Sequence, residues 1–100
     1  MLNISKETEG TSLKLSLEGR LDTQTAPELD SVVTSSLEGI TELIFDIKDL
    51  QYISSAGLRV LLATQKSMNN SAGRLIIRNV SEEVKEIFDV TGFSSILTIE

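Results

Sequence analysis

The chain has 100 residues and contains neither cysteine nor histidine. These absences exclude a disulfide framework, a thiolate or imidazole metal site, and a nucleophile that histidine activates. The formal charge of −6 and the aromatic content of 4% argue against nucleic-acid binding and favour a protein partner with a complementary basic surface.

The composition is typical of one globular domain over residues 1–100, with 40% hydrophobic and 24% charged residues. No apolar run approaches the roughly 20 residues that a membrane span needs. The first ten residues lack the basic start and apolar core of a signal peptide. We therefore expect a cytoplasmic protein, and we expect a monomer because nothing in the pattern argues for a dimer.

The first predicted elements are two antiparallel strands at residues 2–9 and 12–18, joined by a turn. The second strand carries the clearer signal, because Leu13, Leu15 and Leu17 alternate with polar residues. Such alternation is typical of a strand with one buried face.

A helix is predicted at about residues 26–37. Thr25 and Glu28 have the spacing of a capping box, and Pro27 suits a first helical turn. Gly39 suits the point where the helix ends.

Two further strand–helix pairs follow. A strand at 42–47 precedes a helix that begins at Ser54 or Ser55, and a strand at 74–78 precedes a helix that Ser81 caps. A last short strand is predicted near the C-terminus. This order predicts an α/β fold with a mixed β-sheet, an N-terminal antiparallel hairpin, and helices packed on one face.

The stretch "ISSAGL" (53–58) is the candidate site. One of its serines caps a helix, and a helix start also favours a phosphate because its N–H groups are free. A cap and a modification site therefore remain open for Ser54 and Ser55. Gly57 would let a partner's backbone approach, and Arg59 either reaches a phosphate on Ser55 or is simply an exposed arginine.

Enzymatic chemistry finds no support in the sequence. The chain lacks a nucleotide-binding glycine loop and a serine hydrolase elbow, and it has no acid–base pair. Asp22, Asp46 and Asp49 stand singly near strand ends, where turn roles are common. We expect no catalytic residue, no metal and no cofactor.

Three stretches resemble the STAS domain family, specifically its stand-alone bacterial anti-sigma factor antagonists: "LSLEGRLDTQTAPELDSVV", "ELIFDIKDLQYISSAGLRVLLATQK" and "GRLIIRNVSEEVKEIFDVTGF". The resemblance covers nearly the whole chain. It matches Asp46 to an aspartate at a strand end and Asp22 to the aspartate of a G-x-L-D loop. It matches Ser55 to the phosphorylated serine, and Gly57 and Leu58 to the two residues that usually follow.

The chain departs from the family pattern at two positions. Ser54 stands where the family usually has aspartate, and Ala56 where it often has serine or threonine. The first change removes a charge beside Ser55 and makes Ser54 a second, less favoured acceptor.

The resemblance implies a phosphorylation-controlled partner switch. The unphosphorylated domain would bind an anti-sigma factor that is also a serine kinase of the histidine-kinase-like ATPase superfamily, which frees the sigma factor. Phosphorylation would dissolve that complex, and a PP2C-type phosphatase would restore binding. The residues expected to contact the partner are Asp22, Thr23, Ser54, Ser55, Ala56, Gly57, Leu58 and Arg59. The alternative is a STAS interaction module of a transport or sensory complex that is not phosphorylated.

Overall fold

A computed structural model describes residues 1–100. Its elements in chain order are β1 (Leu2–Glu9), β2 (Ser12–Leu21), α1 (Ala26–Ser36), β3 (Glu42–Ile53), α2 (Ser55–Asn70), β4 (Arg74–Arg78), α3 (Glu82–Thr91), a 3-10 turn (Phe93–Ser95) and β5 (Thr98–Ile99). The predicted α/β fold, its element order and its N-terminal hairpin are confirmed. No helix is both long and apolar enough to cross a membrane.

The five strands lie in the sheet in the same order as in the chain. β1 and β2 are antiparallel, and the pairs β2–β3, β3–β4 and β4–β5 are parallel. Each parallel crossover therefore advances by one strand in the same direction. Because such crossovers are right-handed in nearly all proteins, the three helices lie on one face of the sheet.

One hydrophobic core of 21 buried residues joins the helices to that face. Leu29 of α1, Leu61 of α2 and Phe88 of α3 all belong to this core. Ile44 and Ile76 are also buried but pair with each other on the opposite face, outside the core. The prediction of helices on a single face is thus confirmed.

Two strands are longer than predicted. β2 ends at Leu21 instead of residue 18, and β3 ends at Ile53 instead of residue 47. The pairing of β2 with β3 shifts register twice, between Ser16 and Glu18 and again after Gly19. Such irregularities interrupt the alternation of buried and exposed residues, so the pattern no longer indicates a strand beyond them.

The predicted helix ends are partly confirmed. The hydroxyl of Ser81 accepts the N–H of Val84 at 3.3 Å, and Gly92 ends α3 in the left-handed conformation. The predicted capping box of α1 is wrong, because the side chain of Thr25 makes no cap hydrogen bond to the helix. The Thr25 hydroxyl instead forms hydrogen bonds within the loop before α1 and to the end of β2.

Candidate functional site

The carboxyl ends of β2 and β3 lie side by side and carry the predicted site. Leu21 pairs in register with Ile53, and the N–H of Ser54 donates to the carbonyl of Leu21 at 2.8 Å. This hydrogen bond ties the start of α2 to the end of β2. The loop that holds Asp22 and Thr23 and the first turn of α2 therefore share one edge of the sheet.

The loop after β2 is closed by a set of local hydrogen bonds. One carboxylate oxygen of Asp22 accepts the N–H groups of Gln24 and Thr25, each at 3.0 Å. The hydroxyl of Thr25 accepts the N–H of Asp22 at 2.9 Å and donates to the carbonyl of Arg20 at 2.8 Å. This engagement explains why Thr25 does not form a capping box with Glu28.

The same contacts keep the carboxyl group of Asp22 ionised. The N–H of Thr25 has the largest effect and lowers the pKa of Asp22 from its usual value, and the N–H of Gln24 acts in the same direction. Burial of the carboxyl group opposes this effect but does not cancel it. The loop therefore presents a negative charge at neutral pH.

A stacked pair beside this loop was not predicted. The guanidinium carbon of Arg20 lies 4.4 Å from the ring centroid of Tyr52, and Nε of Arg20 is 3.9 Å from a carboxylate oxygen of Asp22. Tyr52 remains 37% exposed, although large hydrophobic side chains are usually covered. No sequence signal indicates this pair, because it depends on the shifted register of β2 on β3, which places Arg20 opposite Tyr52.

Ser54 is the residue that caps α2. Its backbone is extended, with φ −96° and ψ 175°, and its hydroxyl accepts the N–H of Gly57 at 3.4 Å. Its carbonyl also accepts the N–H of Leu58 at 2.9 Å. Serine and aspartate cap helices about equally well, so the departure from the family pattern at this position preserves the local geometry.

Ser55 differs from Ser54 in exposure and in bonding. It is the first residue of α2 and is exposed, whereas Ser54 is half-buried. The Ser55 hydroxyl makes no hydrogen bond within the chain, and the first turn of α2 contains no acidic residue. The two serines are therefore not equivalent acceptors.

Gly57 makes room for the chain's own side chains and not, as expected from the sequence, for a partner's backbone. A Cβ at this position would lie 2.6 Å from Cγ of Leu21 and 3.0 Å from Cγ1 of Ile53. The close approach that Gly57 permits is therefore between α2 and the chain's own sheet, and the expectation of room for a partner's backbone is wrong. Gly57 and Leu58 are both buried and hold the helix in place from beneath.

The remaining predicted contact residues lie at the surface of α2. Ala56 is half-buried and Arg59 is exposed. Arg59 forms none of the three ion pairs of the structure. Residues four apart on a helix are neighbours, so Ser55 and Arg59 share one face of α2.

Asp46 is not part of this site. It lies within β3 on the helix-free face, and its carboxylate accepts the amide of Asn79 at 3.0 Å and lies 3.7 Å from the ammonium of Lys14. Burial alone would raise the pKa of Asp46, but the hydrogen bonds from Asn79 and the N–H of Lys48 outweigh it and lower the pKa. Its role is to connect neighbouring strands. No group of three or more acidic residues converges to hold a metal ion.

The model of the STAS domain family matches residues 3–100. The chain belongs to the STAS domain family. This membership confirms the resemblance that the "GRLD" and "ISSAGL" stretches carried in the sequence. The curated relatives that the chain matches bear the name anti-sigma-B factor antagonist.

Two relatives illustrate this point. The chain is 31% identical over 99 residues to the anti-sigma-B factor antagonist of Staphylococcus epidermidis. The alignment covers 98% of this chain and 92% of the relative. The chain is 28% identical to the anti-sigma-B factor antagonist of Staphylococcus aureus strain NCTC 8325, with the same coverage. The match extends over nearly the whole of each protein.

Solved structures share the fold at lower identity. The anti-sigma factor antagonist SpoIIAA in its unphosphorylated form superimposes with a TM-score of 0.79 at 19% identity, covering 98% of this chain and 87% of that one. The Bacillus cell fate determinant SpoIIAA in the phosphorylated form superimposes with a TM-score of 0.78 at 19% identity, covering 98% of this chain and 91% of that one. The STAS domain described here therefore matches both forms of that protein equally well.

The first prediction concerns the packing of α2 against the sheet. Gly57→Ala is expected to lower the free energy of unfolding by about 1–3 kcal/mol, because its Cβ would overlap the packed Leu21 side chain. The sign is informative, since alanine would otherwise stabilise a helix by up to about 1 kcal/mol over glycine. Urea unfolding measures the change, and the exposed Ser55→Ala variant is the control, expected within about 0.5 kcal/mol of wild type. A Gly57→Ala protein more stable than wild type would contradict the tight contact.

The second prediction concerns pH. A carboxyl group whose folded-state pKa is lowered adds stability above its unfolded pKa, and this contribution is lost as the pH falls through the folded pKa. The melting temperature of Asp22→Asn should therefore lie below that of wild type at neutral pH, and the two should converge as the pH falls below 3.8. Asp46 also titrates in this range, so the difference between the two proteins is the quantity to measure. A difference that does not change with pH would contradict the assignment.

Proposed function

We propose that this STAS domain is an anti-sigma factor antagonist that acts as a partner switch controlled by phosphorylation of Ser55. The unphosphorylated form binds an anti-sigma factor that is also a serine kinase of the histidine-kinase-like ATPase superfamily, and this binding frees the sigma factor. Phosphorylation releases the partner, and a PP2C-type phosphatase reverses the modification. The observation that carries the proposal is the exposed, unbonded hydroxyl of Ser55 at the start of a capped helix.

The capping geometry supports Ser55 over Ser54 as the acceptor. Modifying Ser54 would disturb the contact of its hydroxyl with the N–H of Gly57 and would place a dianion on a half-buried side chain. Modifying Ser55 breaks no hydrogen bond of the chain. Its position in the first turn of α2 also places the phosphate at the positive end of the helix dipole.

A phosphate on Ser55 is compatible with the fold but not with a packed interface. It adds about −1.5 to −2 charges at pH 7 without burying any of them in the free domain. In a complex with a kinase, the same charges would be desolvated and would face the phosphates of the bound nucleotide. Each 1.4 kcal/mol of such a penalty weakens binding about tenfold, so the partner is released without a change of fold.

The proposed contact surface has an exposed part and a supporting part. The side chains that can touch a partner are those of Asp22, Thr23, Ser54, Ser55, Ala56 and Arg59. Gly57 and Leu58 act from beneath by fixing the position of α2. Arg20 and Tyr52 extend the surface on the side of β2, and arginine and tyrosine are enriched among the residues that dominate interfaces.

In this proposal the domain is a substrate and binding partner, not an enzyme. It needs no cofactor and no metal, and it contacts neither nucleic acid nor a membrane. It acts as a monomer in the cytoplasm, where its kinase finds ATP.

A second candidate function rests on the neutral residue at position 54. Ser54 removes the charge that the family usually places beside the acceptor. A domain that no kinase modifies could serve as an interaction module of a transport or sensory complex. A pull-down that yields transporter subunits without a kinase or phosphatase would favour this function over the switch.

The third prediction is the site of phosphorylation. Each anti-sigma factor kinase encoded in the source genome is incubated with the protein and ATP, followed by intact mass measurement and peptide mapping. One phosphate is expected, on Ser55. Ser54→Asp is the matched variant, since aspartate keeps the cap but removes the hydroxyl, and it should still be modified, whereas Ser55→Ala should not. A phosphate on neither serine would refute the switch.

The fourth prediction is the effect of charge at position 55. Ser55→Ala should bind the kinase as wild type does and should stay bound when ATP is present, because it cannot be modified. Ser55→Asp should bind at least about tenfold more weakly, because it places a charge in the interface.

Isothermal titration calorimetry measures both affinities. Ser5→Asp adds the same charge on the helix-free face of β1 and should leave the affinity unchanged. Equal losses for Ser5→Asp and Ser55→Asp would assign the effect to net charge and not to the site.

A further inference from the structure

A groove between α1 and α2 adjoins the phosphorylation site. Its first hollow, of about 340 Å³, is lined by Thr23 and Ala26 on the α1 side and by Ala56 and Arg59 on the α2 side. Thr23, Ala56 and Arg59 are residues of the proposed contact surface. The groove thus opens directly beside Ser55.

The groove continues along the two helices. A second hollow, of about 190 Å³, shares Asp30 and Ala63 with the first and extends to Leu37 and Ser67. The lining residues recur at intervals of three or four on each helix, so they form two facing stripes. A partner segment that lies on this surface can therefore contact both helices over several turns.

Small side chains create the groove. Ala26, Ala56 and Ala63 occupy positions where larger residues would close the gap between the helices. Val60 contributes to the lining of the same hollow and, with Ala56, packs against the hydrophobic core. The floor is therefore apolar and has room for a side chain from outside.

The groove carries two charged side chains that form no ion pair: Arg59 lines only the first hollow, and Asp30 lies where the two hollows meet. Asp30 is exposed and belongs to both hollows, and it takes part in none of the ion pairs of the structure. A carboxylate in this position favours a basic group on the molecule that fills the groove. The net charge of −6 favours the same kind of partner.

We propose that this groove is a second docking element for the kinase that the Ser55 switch controls. It receives an apolar side chain of that kinase, and a lysine or arginine next to that side chain pairs with Asp30. The inference rests on the proposed function and deepens it, since it assigns part of the binding free energy to a surface that a phosphate does not touch. Because Arg59 lines the groove and shares a face of α2 with Ser55, a segment in the groove brings the rest of the partner close to Ser55.

The test compares two substitutions on α2 by their effect on kinase affinity: one fills the groove, and the other lies outside it. Ala63→Leu places a larger side chain in the exposed centre of the groove. Asn70→Leu adds the same side chain at an exposed position of α2 outside both hollows. Ala63→Leu is expected to bind the kinase at least about tenfold more weakly by calorimetry, and Asn70→Leu as wild type does.

The charge is tested separately. Asp30→Asn should weaken binding about fivefold at low ionic strength, and the loss should shrink in high salt, as expected for an ion pair at the rim of an interface. Unfolding in urea identifies any variant that is destabilised, and affinities are compared only below its unfolding transition.

The outcomes separate the groove from the switch. Wild-type affinity of Ala63→Leu, with Ser55 still phosphorylated, overturns the groove and leaves the switch intact. Equal losses for Ala63→Leu and Asn70→Leu also overturn it, because they show no preference for the groove. If no kinase binds the wild-type protein, the switch and the groove are both refuted.

Discussion

The contact between the first turn of α2 and Leu21 governs the geometry of the site. The carbonyl of Leu21 accepts the N–H of Ser54, and the Leu21 side chain occupies the space where a Cβ of residue 57 would lie. These two contacts fix where α2 begins and how closely it approaches the sheet. The direction of Ser55, the position of Arg59 and the width of the groove beside α1 all depend on them.

This arrangement separates the residues that build the site from those that can be recognised. Leu21, Gly57 and Leu58 are buried and set the geometry, whereas Ser55 and Arg59 are exposed and available for contact. A modification of the exposed residues therefore leaves the core undisturbed. That separation is what a protein needs if it is to switch partners and keep one fold.

The sequence predicted features that depend on neighbouring residues and missed those that depend on distant ones. The hairpin and the caps at Ser81 and Gly92 follow from local patterns, and all are present. The stacking of Arg20 on Tyr52 depends on how β2 and β3 align, and that alignment shifts where no local pattern indicates it. The spacing around Thr25 suggested a cap, but its hydroxyl bonds to the preceding strand instead.

The sequence likewise predicted only those features of the candidate site that depend on neighbouring residues. The family resemblance already matched Ser55 to the acceptor, but the sequence left open which serine caps α2, and the structure assigns that role to Ser54. The groove depends on small residues of two helices that lie 30 positions apart, such as Ala26 and Ala56. Their closeness follows from the packing of α1 beside α2 and from no motif.

The neutral cap at Ser54 has a consequence for how such proteins diverge. Because serine and aspartate satisfy the same N–H group, the charge next to Ser55 can change while the helix stays where it is. A kinase that reads this charge would distinguish two such proteins that are otherwise superimposable. A single position can therefore change the charge that a partner meets, at almost no cost to the stability of the fold.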